Sequence, residues 1–207
     1  EERFVGKTTI LGCGYSMGAM KFSIQLKTFG KDLGVEDCKK IIHTYRRVYP
    51  SIPKFWKRAQ LGLEAIIRGQ YLEVTKQTQA LSVIPYVGFC LPNELVLKYP
   101  DLKKQQDVAG QTFFSYKSRK DRINIYGGKV VENICQAVAR CVIGEQMLKI
   151  AERYKVVMTV HDAVTCIARE EEAEEAAAYV TKCMKWRPSW CQELPLNCET
   201  EYGEAYG

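Results

Sequence analysis

The sequence lacks any apolar run long enough to cross a membrane. No stretch approaches the roughly 20 consecutive apolar residues of a spanning helix, and the N-terminal residues do not follow the signal-peptide pattern. Internal repeats and low-complexity linkers are also absent. We therefore expect a cytoplasmic protein with no membrane partner.

Cysteine pairs are missing as well. The nine cysteines are scattered singly without a CxxC pair, and the two histidines, His43 and His161, lie far apart in the chain. This pattern argues against a disulfide framework. It indicates reduced cysteines in a reducing compartment.

The chain does have enough apolar residues for a core, and an excess of positive charge. Its 207 residues are 46% hydrophobic, which suits one domain or two small lobes. The net charge of +6 favours a polyanionic partner, although many basic proteins of this size bind no nucleic acid. Because the first residue is not methionine and the sequence starts inside a predicted helix, we expect a processed product, an isolated domain or one piece of a split protein.

Hydrophobic periodicity predicts a mixture of helices and short strands. Helices are predicted over residues 3–15, 19–29, 35–49, 54–68, 129–154 and 170–185. Strands are predicted within residues 71–74, 81–90 and 95–99, a hairpin over 155–160 and 164–168, and an extended tail over 195–207. These elements predict a mixed α/β (α+β) fold whose first part, about residues 1–70, is helical.

The first helix carries a regular pattern. Arg3, Lys7, Leu11 and Tyr15 recur every four residues, so one helix would project them from nearly the same face. The cations could neutralise a triphosphate, and the aromatic ring could stack beside a base. An ordinary amphipathic helix with a basic edge accounts for the same spacing.

The predicted hairpin carries the second pattern, His161-Asp162, at its tip. A carboxylate on a rigid turn between strands is well placed to hold Mg²⁺. Two metal ions about 3.5–4 Å apart need more than one carboxylate. A local turn stabilised by the aspartate side chain is the plainer interpretation of this dipeptide.

A third segment, Tyr126 to Arg140, lies between these two patterns and begins a long predicted helix. The spaced Arg3, Lys7, Leu11 and Tyr15 resemble the fingers-helix motif B of family A DNA polymerases, and Val160-His161-Asp162 resembles their palm motif C. The segment between them is similar to the helix that precedes motif C in bacteriophage members. Likenesses within residues 12–19, 45–56, 91–93 and 194–207 extend the resemblance over nearly the whole chain.

The resemblance implies an incomplete right-hand polymerase architecture. A fingers-like helical and strand-rich region would cover residues 1–115, and a palm portion with the long helix and the metal-bearing hairpin would cover residues 116–207. The implied reaction is template-directed addition of dNTPs to a primer 3′ end with Mg²⁺, two ions being expected in the complete site. Primer-template DNA and dNTPs would be the partners, in a phage-infected bacterial cell.

The resemblance assigns dNTP binding to the first helix. Arg3 and Lys7 would bind the triphosphate, and Lys7 would also be a catalytic residue that donates a proton to pyrophosphate. Leu11 would lie at the sugar contact and Tyr15 at the insertion site.

The remaining implied roles concern DNA and metal. Gln136 and Arg140 would contact the minor groove of the primer-template, and His161 would lie near the primer terminus. Asp162 would be the catalytic metal ligand. A polar helix edge is an alternative interpretation of Gln136 and Arg140.

Three positions depart from the family pattern. Leu11 stands where phenylalanine or tyrosine is usual, which removes a stacking contribution. Ser16 replaces a usual glycine, which affects how the helix ends. Ala163 replaces a usual acidic neighbour of the catalytic aspartate, which we expect to tune activity rather than abolish it.

Motif A, with the second essential aspartate, should precede Glu1. Asp101, Asp107 and Asp121 are acidic, but they follow motif B, which is the wrong order. We therefore expect the chain alone to be inactive and to require an upstream polymerase segment as partner, in the same parent chain or a separate one. A non-catalytic nucleic-acid-binding or assembly subunit is the alternative, and a single-subunit RNA polymerase fits less well.

Overall fold

The computed structural model describes residues 2–75 and 81–205. The chain divides into two compact units, Glu1–Cys135 and Gln136–Gly207, and the boundary falls inside a long helix. The predicted division between residues 115 and 116 assigns functional regions, and it stays a prediction.

Helices dominate the first third of the chain and recur near its end. Those in the described residues are α1 (Glu2–Cys13), α2 (Ala19–Thr28), α3 (Val35–Val48), α4 (Ser51–Arg68), α5 (Gly127–Ala151) and α6 (Ala173–Lys185). The 3₁₀ turns Glu170–Glu172 and Ser189–Cys191 flank α6.

The strands form three small antiparallel sheets. The first joins β1 (Leu72–Glu73), β2 (Ser82–Ile84), β3 (Gly88–Cys90) and β4 (Val96–Lys98), in that order. The second joins β5 (Lys103–Gln106), β6 (Thr112–Lys117) and β7 (Arg122–Ile125), and the third joins β8 (Lys155–Val160) to β9 (Ala163–Ile167). The predicted α+β fold class is confirmed.

The first three helices pack around a shared apolar core. Its buried members are Cys13, Phe22, Leu26, Cys38, Ile42 and Tyr45. Full burial of one large apolar side chain is worth about 1.5–3 kcal/mol, so this cluster holds α1 against α2 and α3. The Ser23 hydroxyl adds a link by donating to the Leu33 carbonyl at 2.7 Å, which ties α2 to the loop before α3.

The fourth helix packs on the first sheet at a very close approach. Phe89 of β3 is fully buried, and a Cβ on Gly62 would lie 2.6 Å from its ring. Only glycine therefore fits at this point of α4. The helix begins at Ser51, three residues before its predicted start, because Pro53 lies in the first turn, where backbone N–H groups have no partner within the helix.

The second sheet is an element that the sequence analysis did not predict. Its first strand, Lys103–Gln106, contains no apolar residue, so it shows no alternation of apolar and polar side chains. Pairing with β6 makes it a strand. Tyr116 of β6 packs edge-on against Tyr99, with ring centroids 5.1 Å apart.

In the second unit, the last part of α5 packs with α6 and the β8–β9 hairpin. The buried residues of this core are Ile150, Tyr154, Ala176, Val180 and Cys183. The Gln146 amide is also buried and donates to the Met184 carbonyl at 2.6 Å and the Trp186 carbonyl at 3.0 Å. These two bonds join α5 to the end of α6. The tail over residues 195–205 forms no strand.

All nine cysteines lie in the described residues, and no two of them form a disulfide bond there. Their reduced state in the cell stays a prediction. Within the described part of the chain, no helix combines the length and apolar character that crossing a membrane requires.

Candidate functional site

The first helix presents its positive side chains to solvent. Arg3, Lys7 and Leu11 are all exposed, Leu11 by 57%, and they follow one another at four-residue spacing. Thr8 and Thr9 lie on the other side of the helix and are buried. The exposed face therefore remains free for a ligand, and its proposed dNTP contacts stay predictions.

The buried threonines are satisfied within α1. The Thr8 hydroxyl donates to the Phe4 carbonyl at 2.9 Å, and the Thr9 hydroxyl donates to the Val5 carbonyl at 2.7 Å. Each hydroxyl thus has a partner four residues earlier, so its burial costs little.

The four-residue spacing predicted that Tyr15 would share one helix with Arg3 and Lys7. In the structure, Tyr15 lies outside that helix. The helix ends at Cys13, and the Gly14 and Met17 amides donate to the Ile10 and Gly12 carbonyls in the turn that follows. Glycines at 12 and 14 and a left-handed residue at 16 cannot extend a helix favourably. The prediction of one helix through residue 15 was wrong by two residues.

The turn after α1 is fixed by the surrounding structure. Ser16 has a φ of 68°, in the left-handed region that favours glycine. The Trp56 indole donates to the Gly14 carbonyl at 2.9 Å. Arg46 donates to the Met17 carbonyl at 3.4 Å and lies over the Trp56 ring, 5.5 Å from its centroid. The serine therefore adopts its strained backbone because packing determines the turn.

The N-terminal end of α5 reaches this turn at a position without a side chain. A Cβ on Gly128 would lie 2.5 Å from the Ser16 Cβ and 2.8 Å from the Tyr15 carbonyl oxygen. The Gly127 amide donates to the Gln60 carboxamide oxygen at 2.6 Å, which holds the helix end in place. The Gly127-Gly128 pair is thus what permits α5 to approach the Tyr15 turn.

Tyr15 is half-buried against α5. Burial is the largest cause that raises the pKa of its phenol, followed by the nearby Cys135 thiol and Glu132 carboxylate. Cys135 is exposed as a whole residue, but the protein atoms packed around its thiol desolvate it and raise its pKa, and the hydrogen bond with Tyr15 acts in the opposite direction. Tyr15 is therefore a neutral, positioned hydroxyl at neutral pH.

Sequence reasoning missed the two neighbours of Tyr15 on α5. Glu132 and Cys135 both lie in the segment that resembled the polymerase helix, but no pattern indicated that they would approach residue 15. Their three-residue spacing does place them on one side of a helix. The Gly127-Gly128 pair was the available signal for a close contact near this helix end.

Gln136 and Arg140 lie on α5 and are exposed. Their four-residue spacing places them on one side of the helix. The described residues show no ion pair of Arg140 and no side-chain hydrogen bond of Gln136. Both side chains are accessible, and their DNA contacts stay predictions.

His161 and Asp162 form a two-residue turn between β8 and β9. Val160 pairs with Ala163 in the ladder, so Ala163 belongs to β9, whereas the predicted strand began one residue later, at Val164. His161 has a φ of 54°, a left-handed conformation that costs roughly 1–2 kcal/mol for a residue with a Cβ. The turn exposes both the imidazole and the carboxylate.

Two of the three other acidic candidates, Asp101 and Asp107, have structural partners. Asp101 forms ion pairs with Arg122 and with Lys103, the latter at 3.4 Å. The Asp107 carboxylate accepts the amides of Ala109 at 2.9 Å and Gln111 at 2.8 Å, which stabilises a tight turn. These contacts account for the positions of the Asp101 and Asp107 carboxylates, so neither position requires a metal ion.

The structure thus groups the predicted residues into two sets. The first unit holds Arg3, Lys7, Leu11 and Tyr15, and the second holds Gln136, Arg140, His161 and Asp162. Over the ranges 2–75 and 81–205, no group of three His, Cys, Asp or Glu side chains could hold a metal ion. Asp162 can supply one ligand, but the described residues do not make a complete Mg²⁺ site.

Comparison with known proteins gives one informative similarity. No protein-family model matches the chain. The chain is 27% identical over 206 residues to the DNA polymerase of Bacillus phage SP02, an alignment that covers 94% of this chain and 31% of that protein. The chain therefore spans about a third of the length of this relative. The similarity supports a relationship to a phage DNA polymerase.

Proposed function

We propose that this chain is part of a family A DNA polymerase of bacteriophage type, which adds dNTPs to a primer 3′ end by two-metal nucleotidyl transfer. The observation that carries the proposal is the similarity to a phage DNA polymerase over 94% of the chain. Because the alignment spans both compact units, the relationship does not rest on one short motif.

The exposed face of α1 supports a role in dNTP binding. Arg3 and Lys7 are four residues apart, which corresponds to a rise of about 6 Å along a helix. Two cations at this separation can contact neighbouring phosphate groups, and charge-assisted hydrogen bonds to phosphate are stronger than neutral ones. Lys7 is also the proposed proton donor to pyrophosphate.

Tyr15 complements this face at the end of α1. Its backbone is held by the turn and its ring is half-buried, so its position needs little further ordering when a nucleotide binds. Leu11 would provide an apolar contact to the sugar in place of the aromatic ring that the family has.

Asp162 is the proposed catalytic metal ligand of this chain. An exposed carboxylate on a short turn can reach a divalent cation, and oxygen ligands suit Mg²⁺. Since the described residues lack a complete cation site, the proposal assigns the second carboxylate to an upstream polymerase segment that carries motif A. The chain alone would then be inactive.

The β8–β9 hairpin supports the need for such a partner segment. Its strands expose Val157 by 49%, Val160 by 41% and Ile167 by 56%. Within the described residues these two strands pair only with each other, and one side of the hairpin packs on α5 and α6 while these three side chains stay exposed. A further polypeptide segment that covered these side chains would stabilise the hairpin that positions Asp162.

Primer extension tests the proposal. The chain would be incubated with primer-template DNA, dNTPs and Mg²⁺, alone and together with the upstream palm and thumb segment of its parent polymerase. Extension by the mixture and not by either piece alone is the expected result. A mixture that forms a complex and binds DNA but never extends the primer would contradict the proposed polymerase activity.

A non-catalytic nucleic-acid-binding subunit is the second candidate function. Ala163, in place of an acidic residue, and the absence of a metal-binding group from the described residues favour it. Salt-sensitive DNA binding without extension, even when motif A is supplied, would support this function and contradict the polymerase.

A further inference from the structure

The second sheet concentrates positive charge in a short part of the chain. Residues 103–125 contain six lysines or arginines and two aspartates, whereas the whole chain has a net charge of +6. Neither the exposed face of α1 nor the Asp162 turn includes residues of this sheet. Its register shows how the charges are distributed over its two faces.

The inner face of the sheet packs on the rest of the first unit. Phe114 is buried and Tyr116 contacts Tyr99. Lys104, which pairs with Phe114 in the ladder, lies over the phenyl ring at 5.7 Å and forms an ion pair with Glu64 of α4 at 3.1 Å. This face is therefore occupied by packing and by a neutralised lysine.

The outer face carries alternate residues of the same strands. Along β6 these are Phe113, Ser115 and Lys117, because successive side chains of a strand point to opposite faces. Lys117 pairs with Arg122, and Ser115 pairs with Lys103 on its other side. Three cations from three adjacent strands thus share one exposed face.

A polar network fixes the centre of this outer face. Arg122 donates to the Ser115 hydroxyl and carbonyl, each at 3.1 Å, and forms an ion pair with Asp101. The Ser115 hydroxyl donates to the Gln105 side-chain oxygen at 2.6 Å. Arg122 is therefore a structural residue whose charge is already balanced.

The uncompensated charge lies at the tip of the β6–β7 hairpin. Lys117, Arg119 and Lys120 are exposed, and no ion pair of theirs occurs in the described residues. The Ser118 amide donates to the Asp121 carbonyl at 2.8 Å and closes the turn that carries them. Three cations are thus held on one short, ordered connection between strands.

We propose that this basic hairpin, residues 117–120 with the outer face of β5–β7, binds single-stranded DNA through its phosphate backbone. Cations along a groove or sheet with an aromatic side chain on the same face are typical of single-strand binding, and half-buried Phe113 supplies the aromatic group here. The inference goes beyond the proposed catalytic role, because it requires DNA binding and no nucleotide addition.

The test measures binding of a fluorescent single-stranded oligonucleotide of about 16 nucleotides to the intact chain over a range of salt concentrations. The hairpin variant combines Lys117→Gln, Arg119→Gln and Lys120→Gln. A plot of log K against log salt has a negative slope, and each phosphate contact on a single strand contributes about −0.7 to it. Loss of three contacts should therefore make the slope shallower by about 2. Affinity at about 0.1 M salt should fall at least about tenfold.

The matched control removes the same net charge elsewhere in the first unit. It combines Lys21→Gln, Lys54→Gln and Lys57→Gln, all of them exposed lysines without an ion pair in the described residues. This variant should bind within about threefold of the unmodified chain. Equal weakening by both variants would show a general charge effect and overturn the proposal.

Two further outcomes bear on the proposal. No measurable binding of the unmodified chain to the oligonucleotide at low salt would overturn it. A blunt duplex of equal length that binds more tightly, through the same three side chains, would contradict the assignment to a single strand. Circular dichroism checks that each variant is folded, and failure of primer extension has no bearing on either result.

Discussion

The turn after α1 and the turn at the tip of the β8–β9 hairpin have related backbones and different surroundings. Each contains a residue with a side chain in the left-handed region, Ser16 with a φ of 68° and His161 with a φ of 54°. The first turn is fixed by the Trp56 indole and the end of α5. The second exposes His161 and Asp162, and the described residues show no side-chain hydrogen bond or ion pair for either.

The difference indicates how complete each region is. Packing within this chain already determines where Tyr15 lies, so the proposed nucleotide binding there would need little rearrangement. The hairpin tip is held by its two strands alone, and the neighbouring side chains that would align a metal ligand are missing from the described residues. We therefore expect the Tyr15 turn to keep its conformation in this chain alone, and the Asp162 turn to depend on a partner segment for its alignment.

The largest expected effect tests the Asp162 turn at the tip of the β8–β9 hairpin. In an extension assay that includes the upstream segment, Asp162→Ala should reduce the rate by about 10³-fold, since a metal ligand supports several kcal/mol of transition-state stabilisation. Asp162 is exposed, so the melting temperature should hardly change. Asp107→Ala is the control and should retain most of the activity, because Asp107 only stabilises its own turn. Full activity of Asp162→Ala would remove the metal-ligand role.

A smaller expected effect tests the packing of the Tyr15 turn against α5. Gly128→Ala should lower the free energy of unfolding by about 1–2 kcal/mol, because the added Cβ would clash with the Ser16 Cβ and the Tyr15 carbonyl. Gly144→Ala is the matched control in the same helix, since no atom lies within 4 Å of an added Cβ there. It should stabilise the chain by about 0.5–1 kcal/mol. Urea unfolding measures both, and equal changes would argue against the close packing.

Replacing the left-handed residues compares the two turns directly. Ser16→Gly and His161→Gly should each stabilise the chain by about 0.5 kcal/mol, since glycine removes the strain but adds flexibility to the unfolded chain. Only the His161 change should also weaken primer extension, because it deletes the side chain proposed to lie near the primer terminus. Urea unfolding and extension rates separate the two effects. Destabilisation by both changes would show that neither turn is strained.

The smallest expected effect concerns pH. Burial raises the pKa of Tyr15 above 10.0 in the folded chain, with smaller contributions from Cys135 and Glu132. The neutral phenol therefore favours the folded state below pH 10, and this contribution is lost as pH rises through the raised pKa.

Ultraviolet titration of tyrosinate absorbance measures this effect. Comparison with Tyr15→Phe should show one phenol that ionises above the ordinary range, and Cys135→Ala should move its pKa slightly downward. A Tyr15 phenol that ionises at or below pH 10 would show that the turn is more open than the structure indicates.

Several elements could be predicted from local sequence alone. The stripe of Cys38, Ile41, Ile42 and Tyr45 predicted a helix, and α3 buries all of these side chains except Ile41, which is half-buried. Two apolar runs rich in β-branched residues, on both sides of His161-Asp162, predicted the hairpin. The helix was predicted from its apolar period, and the strands from their composition and length.

Other elements depend on contacts that are distant in sequence. Lys103–Gln106 is a strand because β6 supplies its hydrogen-bond partners, and its own polar residues show no period. Local glycines indicate that the first helix ends near residues 12–18, whereas the left-handed backbone of Ser16 depends on packing of the turn against Trp56 and α5. Local propensity cannot show such contacts.

The candidate site divides in the same way. The sequence by itself determined which side chains have suitable chemistry, the cations Arg3 and Lys7 and the carboxylate of Asp162, because their order and spacing are local properties. Only the tertiary structure showed that Tyr15 lies against Glu132 and Cys135, and that three cations with no ion pair in the described residues share the tip of a hairpin. The physical reason is that burial and charge compensation depend on neighbours brought together by folding, which no local pattern specifies.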